Sequence, residues 1–149
     1  MNPLLLDEWQ PRVLSVLRII AAFLLIPHGS AKILGVPHQQ VFDGLQLMSL
    51  LGIAGILELA GGILLLIGLF TRPVAFVLCG FMAAAYFIGH AVRGMPLVPM
   101  LNGGELAVLY CFVFLYLAFA GGGEWSVDEA WRNREEEVKN ILDINSDAK

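Results

Sequence analysis

Apolar stretches of membrane-spanning length are the feature that most constrains this 149-residue chain, and four of them occur, at about residues 13–34, 47–70, 73–92 and 100–120. A helix needs about 20 mostly apolar residues to cross the hydrocarbon core, and a helix satisfies its own backbone hydrogen bonds in lipid. Charged residues make up only 15% of the chain, against about 25% in soluble domains. We therefore predict an all-α membrane protein, in which residues 1–123 form an antiparallel bundle of four transmembrane helices.

The connections between these helices differ in length. Only Thr71-Arg72 stands before Pro73 at the second connection, which predicts a tight hairpin with the proline in the first turn of the third helix. The last unbroken apolar run, 106–120, would be about 22 Å long as a helix, which is short for a membrane span. We expect this helix to extend back and to draw Asn102 and Glu105 into the bilayer.

Basic residues indicate an orientation, because they are enriched on the cytoplasmic side of membrane proteins. With four spans, one side carries most of them, and the other side carries Arg93 with Lys32 at its edge. The first side holds Arg12, Arg72, Arg132, Arg134, Lys139 and Lys149. The pattern predicts that the N- and C-termini both lie in the cytoplasm.

The segment 124–149 has a different composition from the rest of the chain. Ser126 followed three residues later by Glu129 is typical of a capping box at a helix start, and apolar residues then recur at helical spacing. We predict a short amphipathic cytoplasmic helix, lying either on the membrane surface or on a protein. The acidic run Glu135–Glu137 disfavours an anionic lipid surface, so a protein partner or the bundle itself is the preferred contact.

Polar side chains inside the apolar stretches are the candidate functional residues, since an ionisable group near a bilayer centre costs about 2.5–3.5 kcal/mol. Counting along each helix at about 1.5 Å per residue places His90, Glu105 and Lys32 near the outer face and His28 deeper. The same count puts Glu58 near the midplane. The candidates are Arg18, His28, Lys32, Glu58, Tyr86, His90, Asn102 and Glu105.

Glu58 is expected to point into the bundle. Gly55, Gly61 and Gly62 lie three or four residues away on its own helix face, and small residues let neighbouring helices approach closely. Arg18 or the imidazole of His28 would then neutralise the carboxylate, with Arg18 serving as the helix-pairing charge.

The role of this polar cluster stays open between a buried ion pair that fixes helix registry, a quinone or proton site, and another ligand site. Tyr86 and His90 share a helix face and suit hydrogen bonds to a quinone carbonyl, or a place in the interfacial belt. The depth spread of about 13 Å exceeds one ion's reach, so no metal site is predicted. A metal site formed by His90 with Glu105, or by His28 with Glu58, remains compatible with this geometry.

Other ligand classes have no signal in the sequence. Cys79 and Cys111 are 32 residues apart and form neither a CxxC motif nor a zinc pattern, so we interpret them as small apolar packing residues. No haem or flavin signature is present. The sequence also lacks basic clusters interleaved with aromatic residues, so we do not expect the protein to bind nucleic acid.

The order and spacing of several short motifs carry a family resemblance. The motifs are Arg18…Pro27-His28-Gly29-x-x-Lys32, Glu58-x-x-Gly61-Gly62, Gly68-x-x-Thr71-Arg72, His90, Asn102-Gly103-Gly104-Glu105 and Trp125-Ser126-x-Asp128. From about residue 12 to 128 the chain resembles the DoxX family of small four-helix membrane proteins, which are related to the small subunit of a thiosulfate:quinone oxidoreductase.

This resemblance implies a function that the residues alone do not show. It implies a membrane subunit of an oxidoreductase assembly, with quinone as the ligand of the polar cluster and with protein partners recruited by the tail 124–149. The alternative is a non-catalytic assembly subunit whose polar residues only fix helix packing. The resemblance also implies a location in the bacterial or archaeal cytoplasmic (inner) membrane, so in either case membrane lipid surrounds the bundle.

Overall fold

The computed structural model describes residues 3–147, and this part of the chain contains helices and turns but no β-strand. The prediction of an all-α protein is confirmed. Shorter turns are 3₁₀ at Gln40–Phe42 and Ala91–Arg93 and π-helical at Tyr86–His90. The helices are α1 Pro3–Ile33, α2 Leu50–Ile67, α3 Thr71–Ala85, α4 Pro99–Asn102, α5 Glu105–Ala120 and α6 Val127–Asp147.

Four of these helices pack together as a bundle. Helix α1 packs on α2, α3 packs on α5, and the two pairs meet through α2 with α3 and α1 with α5. Within the described residues, three segments are long and apolar enough to cross a membrane: Leu6–Ile33, Leu50–Ile67 and Thr71–Arg93. Helix α5 is apolar but has only 16 residues, or about 24 Å, so the count of four spans stays a prediction.

Glycines bring α1 and α2 into close contact, as the sequence predicts for the face that carries Glu58. A Cβ atom added to Gly29 would lie 2.4 Å from the backbone nitrogen of Leu59, and one added to Gly55 would lie 2.7 Å from the Cβ of Lys32. Any larger residue would therefore push the two helices apart. The close approach sets the antiparallel register of α1 on α2.

The turn between α2 and α3 is the tight hairpin that the sequence predicts. Gly68 ends α2 with a φ of 71°, and Phe70 also has a positive φ, of 51°. The carboxylate of Asp128 accepts hydrogen bonds from the backbone N–H groups of Phe70 at 2.8 Å and Thr71 at 2.7 Å. Since these are free donors of a helix N-terminus, α3 begins at Thr71 and holds Pro73 in its first turn.

Arg18 is fully buried and closes the same end of the bundle. Its guanidinium donates to the backbone carbonyls of Gly122 at 2.8 Å, Leu66 at 2.6 Å and Trp125 at 2.8 Å, and also to that of Leu65. Two of these carbonyls end α2, and the other two belong to the connection between α5 and α6. We call this region, where Arg18 joins the α2–α3 turn to residues 121–128, the clamp end.

Helix ends differ from the sequence predictions where tertiary contacts or special backbone angles decide them. Helix α1 begins at Pro3 rather than near residue 13, and it runs through Pro11 and Pro27 without ending. Helix α5 begins at Glu105 rather than near residue 100, because Gly103 adopts a φ of 71° and separates it from α4. Asn102 therefore lies outside α5.

Helix α6 starts as the sequence predicts. The hydroxyl of Ser126 accepts a hydrogen bond from the N–H of Glu129 at 3.2 Å, which is the backbone half of a capping box. Trp131 then packs edge-on against Phe70, with ring centroids 6.3 Å apart. The tail is thus attached to the clamp end, while its cytoplasmic location stays a prediction.

Replacing Arg18 is expected to destabilise the protein strongly. Arg18→Met would remove the guanidinium donor from four backbone carbonyls, and hydrogen bonds to a charged group contribute about 1.5–3 kcal/mol each. We expect the free energy of unfolding, measured by denaturant titration in detergent, to fall by about 3 kcal/mol or more.

Arg12→Met is the matched control for this prediction. Arg12 pairs with Glu124 at 2.9 Å on the protein surface, and such exposed pairs are worth about 0–1 kcal/mol. Equal losses of stability in the two variants would contradict the role assigned to Arg18.

Candidate functional site

A buried ion pair joins α1 to α2 at the opposite end of the bundle. The Nζ of Lys32 donates to the Oε2 of Glu58 at 2.5 Å, and the two side chains are only 11% and 9% exposed. The expected partner of Glu58 was Arg18 or His28, and the structure differs. Arg18 lies 14 residues from Lys32, or about 21 Å along α1, and its guanidinium donates to backbone carbonyls at the clamp end.

Counting residues along each helix overestimated the difference in membrane depth between Lys32 and Glu58. Helix α2 begins at Leu50 rather than near residue 47, so Glu58 lies about 4–5 Å closer to this end of the helix than the count assumed. Gly55 then allows the stem of Lys32 to lie directly against α2. The long lysine side chain covers the remaining distance.

A cavity of about 530 Å³ lies beside this ion pair, between residues of α1, α2, α3 and α5. Most of its wall is leucine, isoleucine, alanine, phenylalanine and methionine. Its polar and charged lining residues are His28, Lys32, Glu58, His90, Arg93 and Tyr110. We call this region the cavity end of the bundle. Four of the residues singled out from the sequence, His28, Lys32, Glu58 and His90, therefore share one cavity.

Tyr110 carries an unsatisfied polar atom at the cavity wall. The side chain is 5% exposed, and its hydroxyl is one of two buried side-chain polar atoms without a hydrogen-bond partner among the described residues. Buried polar groups are paired in most proteins, and an unpaired one calls for an explanation.

His90 is positioned by a local distortion of the helix. The π-helical turn Tyr86–His90 follows α3, and single π turns occur frequently at functional sites. The Nδ1 of His90 lies 3.3 Å from the backbone carbonyl oxygen of Asn102. Because a carbonyl only accepts, Nδ1 carries the proton in this contact. The Nε2 atom is then the ring nitrogen left for a ligand.

His28 lies one helical turn before Lys32 on α1. Its imidazole makes no hydrogen bond or ion pair with another described residue. Both of its ring nitrogens are therefore available at the cavity wall.

Tyr86 and Asn102 lie behind the cavity wall rather than in it. The hydroxyl of Tyr86 donates to the carbonyl of Pro96 at 2.6 Å, and the Nδ2 of Asn102 donates to Tyr86 and to the carbonyl of Met95, both at 3.2 Å. Both side chains are buried. They hold the connection between α3 and α5 in place, and through Asn102 they also hold His90.

Glu105 is the first residue of α5, is exposed, and does not line the cavity. The structure thus does not gather it with the cavity residues around His90. In the part of the chain that the structure describes, no group of three or more His, Cys, Asp or Glu side chains is arranged to hold a metal ion.

Sequence reasoning missed two cavity residues. Tyr110 was counted as part of an unbroken apolar run, although a phenol in the middle of such a run is itself a polar signal. Arg93 was counted only as a charge outside the membrane. It is exposed, yet it lines the cavity together with His90.

The ion pair is expected to show strong energetic coupling. Removing one partner of a buried pair costs about 3–5 kcal/mol, because the other charge is left without a counter-charge. Lys32→Met and Glu58→Gln should each lower the free energy of unfolding by about 3 kcal/mol. The double variant should cost no more than either single one, which gives a coupling of about 3 kcal/mol in a double-mutant cycle.

The exposed pair Arg12–Glu124 provides the control cycle, built from Arg12→Met and Glu124→Gln. Its coupling is expected to be below about 1 kcal/mol. Additive effects of the Lys32 and Glu58 substitutions would show that the pair contributes no specific interaction.

Comparison with known proteins agrees with the resemblance drawn from the motifs. The family model DoxX matches residues 13–91, more than half of the chain. An uncharacterized protein of Haemophilus influenzae is 44% identical over 125 residues, which cover 83% of this chain and 93% of that protein. No solved structure matches the chain significantly.

A second relative is an inner membrane protein. It is YphA of Escherichia coli strain K12, 30% identical over 132 residues that cover 80% of this chain and 90% of YphA. The family match ends at Ala91, before α5, and so is shorter than the expected stretch up to residue 128. Three apolar helices of spanning length and these similarities together lead to one conclusion: the chain is a membrane protein that belongs to the DoxX family.

Proposed function

We propose that this protein is a four-span subunit of an oxidoreductase assembly in the bacterial inner membrane, and that its cavity binds a quinone. The observation that carries the proposal is the unpartnered hydroxyl of Tyr110, a residue that lines a mostly apolar cavity. A quinone has an apolar ring and tail with two carbonyl acceptors. Such a ligand suits apolar walls that hold a few hydrogen-bond donors.

The donors around the cavity match those two carbonyls. Tyr110 offers a hydroxyl and His28 offers an imidazole N–H. The Nε2 of a His90 ring that is protonated at Nδ1 is an acceptor, so it suits the hydroxyl group of a quinol. An imidazole also exchanges its proton near neutral pH, which quinone reduction requires. Tyr86 is one of the residues singled out from the sequence for this contact. In the proposal it does not touch the quinone but positions Asn102, which in turn positions His90.

The charges of the cavity favour a ligand that becomes more negative during its reaction. Glu58 is already paired with Lys32, so Arg93 remains as an unbalanced cation in the lining. Reduction of a quinone places negative charge on its oxygen atoms. Fixed positive charges and donors in a low-dielectric site stabilise such developing charge.

The proposed topology places the cavity in the outer half of the membrane. Arg12, Arg72 and Arg132 belong to the clamp end or its surroundings, whereas Arg93 belongs to the cavity end. By the enrichment of basic residues on the cytoplasmic side, the clamp end and both termini would be cytoplasmic. Helix α5 would supply the fourth span.

Tyr110→Phe tests the quinone proposal. The substitution removes only the hydroxyl, and a hydrogen bond of about 1 kcal/mol corresponds to roughly a five-fold change in affinity. Binding of a short-tailed ubiquinone analogue to the purified protein in detergent, measured by calorimetry, should weaken by about that factor. The stability of the free protein should stay equal or rise slightly.

Tyr116→Phe is the matched control, because Tyr116 lies on the same helix but is exposed and outside the cavity. Its affinity for the analogue should equal that of the parent protein. The quinone proposal fails if the analogue does not bind, or if Tyr110→Phe and Tyr116→Phe have the same affinity as the parent.

The surface of α6 favours a second candidate function, the assembly of a larger complex. Trp131, Val138, Ile141 and Leu142 are apolar residues on this otherwise charged helix, and each is half exposed or more. Exposed apolar residues of this kind often mark a protein contact. In this alternative the polar residues of the bundle only fix helix packing.

Deleting residues 129–149 separates the two functions. The deletion keeps Arg18, Ser126 and Asp128, so the clamp end should stay intact. We expect proteins that co-purify from native membranes to be lost, while binding of the ubiquinone analogue is retained. The assembly function is the correct one if the deletion abolishes the oxidoreductase activity of the cell membranes, whereas Glu58→Gln and His28→Ala leave that activity unchanged.

A further inference from the structure

Two cysteine thiols face each other across the bundle. Cys79 lies in the middle of α3 and Cys111 lies near the middle of α5, on the two helices that pack against each other. Their Sγ atoms are 3.7 Å apart, and both thiols are free. The sequence interpretation treated them as separate packing residues, because a spacing of 32 residues carries no motif.

We propose that Cys79 and Cys111 form a redox site that closes a disulfide between α3 and α5, with a quinone dissolved in the membrane as the oxidant. Both S–H bonds break and one S–S bond forms. The two electrons and two protons pass to the quinone, whose carbonyl oxygens become the hydroxyl groups of a quinol. The reaction balances with one quinol formed for each disulfide.

The geometry requires only a small movement for this reaction. A disulfide bond is about 2.05 Å long, so each sulfur must move by less than an ångström to reach its partner from the observed 3.7 Å. In the observed contact one thiol donates toward the other sulfur.

The location selects the class of oxidant. Both thiols are partly exposed and pack against the apolar core of the bundle. Cys79 lies eight residues after Thr71, or about 12 Å from that end of α3. A lipid-soluble quinone has access to this depth, whereas charged oxidants in water must cross apolar surroundings to reach it.

A disulfide here would act on the wall of the cavity. Met82 lies one turn after Cys79, Tyr110 directly precedes Cys111, and both line the cavity. Closing the bond would fix α3 against α5 beside these residues. The proposal shares the quinone class with the proposed function but does not depend on the cavity as the binding site.

The test uses the full-length protein, reduced, freed of reductant without oxygen, and reconstituted in phosphatidylcholine vesicles. The probe is a fully ring-substituted benzoquinone with a decyl tail, since full substitution hinders direct addition of thiols to the ring. We expect loss of both maleimide-reactive thiols, a cross-linked peptide pair that contains Cys79 and Cys111, and one quinol per disulfide by ultraviolet absorbance.

Three variants serve as controls. Cys79→Ser and Cys111→Ser should each keep their remaining thiol and form no quinol. The double variant Cys111→Ser with Val113→Cys retains two thiols but turns the second one to another side of α5, and it should form no intramolecular cross-link. If the parent protein keeps both thiols after quinone treatment, or if this double variant cross-links equally well, the proposal is wrong.

His28→Ala distinguishes this proposal from the cavity function. It alters the cavity and leaves both cysteines and the Lys32–Glu58 pair unchanged, so cross-link and quinol yields should match those of the parent even where affinity for the ubiquinone analogue is lost. If instead azodicarboxamide, a thiol oxidant that needs no quinone, closes the disulfide and the quinone does not, the assigned oxidant is wrong while the cavity proposal is unaffected.

Discussion

The buried guanidinium of Arg18 is the interaction on which the clamp end depends. It gives hydrogen bonds to four backbone carbonyls, two that end α2 and two between α5 and α6. Because Arg18 is fully buried, water cannot reach these carbonyls to replace it as the donor. Asp128 completes the arrangement by capping α3. One cation and one carboxylate thus define how the hairpin and the tail join the bundle.

The two ends of the bundle are held together in different ways. At the clamp end, main-chain groups of the connections are satisfied by side chains from distant parts of the chain. At the cavity end, a glycine-mediated contact of α1 with α2 brings Lys32 to Glu58, and the connection between α3 and α5 is held by Tyr86 and Asn102. The cavity lies beside these two contacts.

Sequence reasoning succeeded where the controlling interactions are local. Apolar length predicted the helices, the short link before Pro73 predicted the hairpin, and the pattern of Ser126 and Glu129 predicted the start of α6. The glycines around Glu58 correctly predicted a closely packed face, because the absence of a side chain has the same consequence in any bundle. Sequence reasoning failed for helix ends such as Glu105, because these ends depend on a glycine in the left-handed conformation and on contacts with other segments.

The sequence by itself determined an all-helical membrane protein, its family, and the set of polar residues that must be accommodated among apolar helices. Only the tertiary structure decided which of those residues meet: Lys32 rather than Arg18 with Glu58, Tyr110 rather than Tyr86 at the cavity, and Cys79 beside Cys111. The reason is that helical periodicity specifies the face of one helix. The register and axial shift between two helices depend on close packing at glycines and on the hydrogen bonds of the clamp.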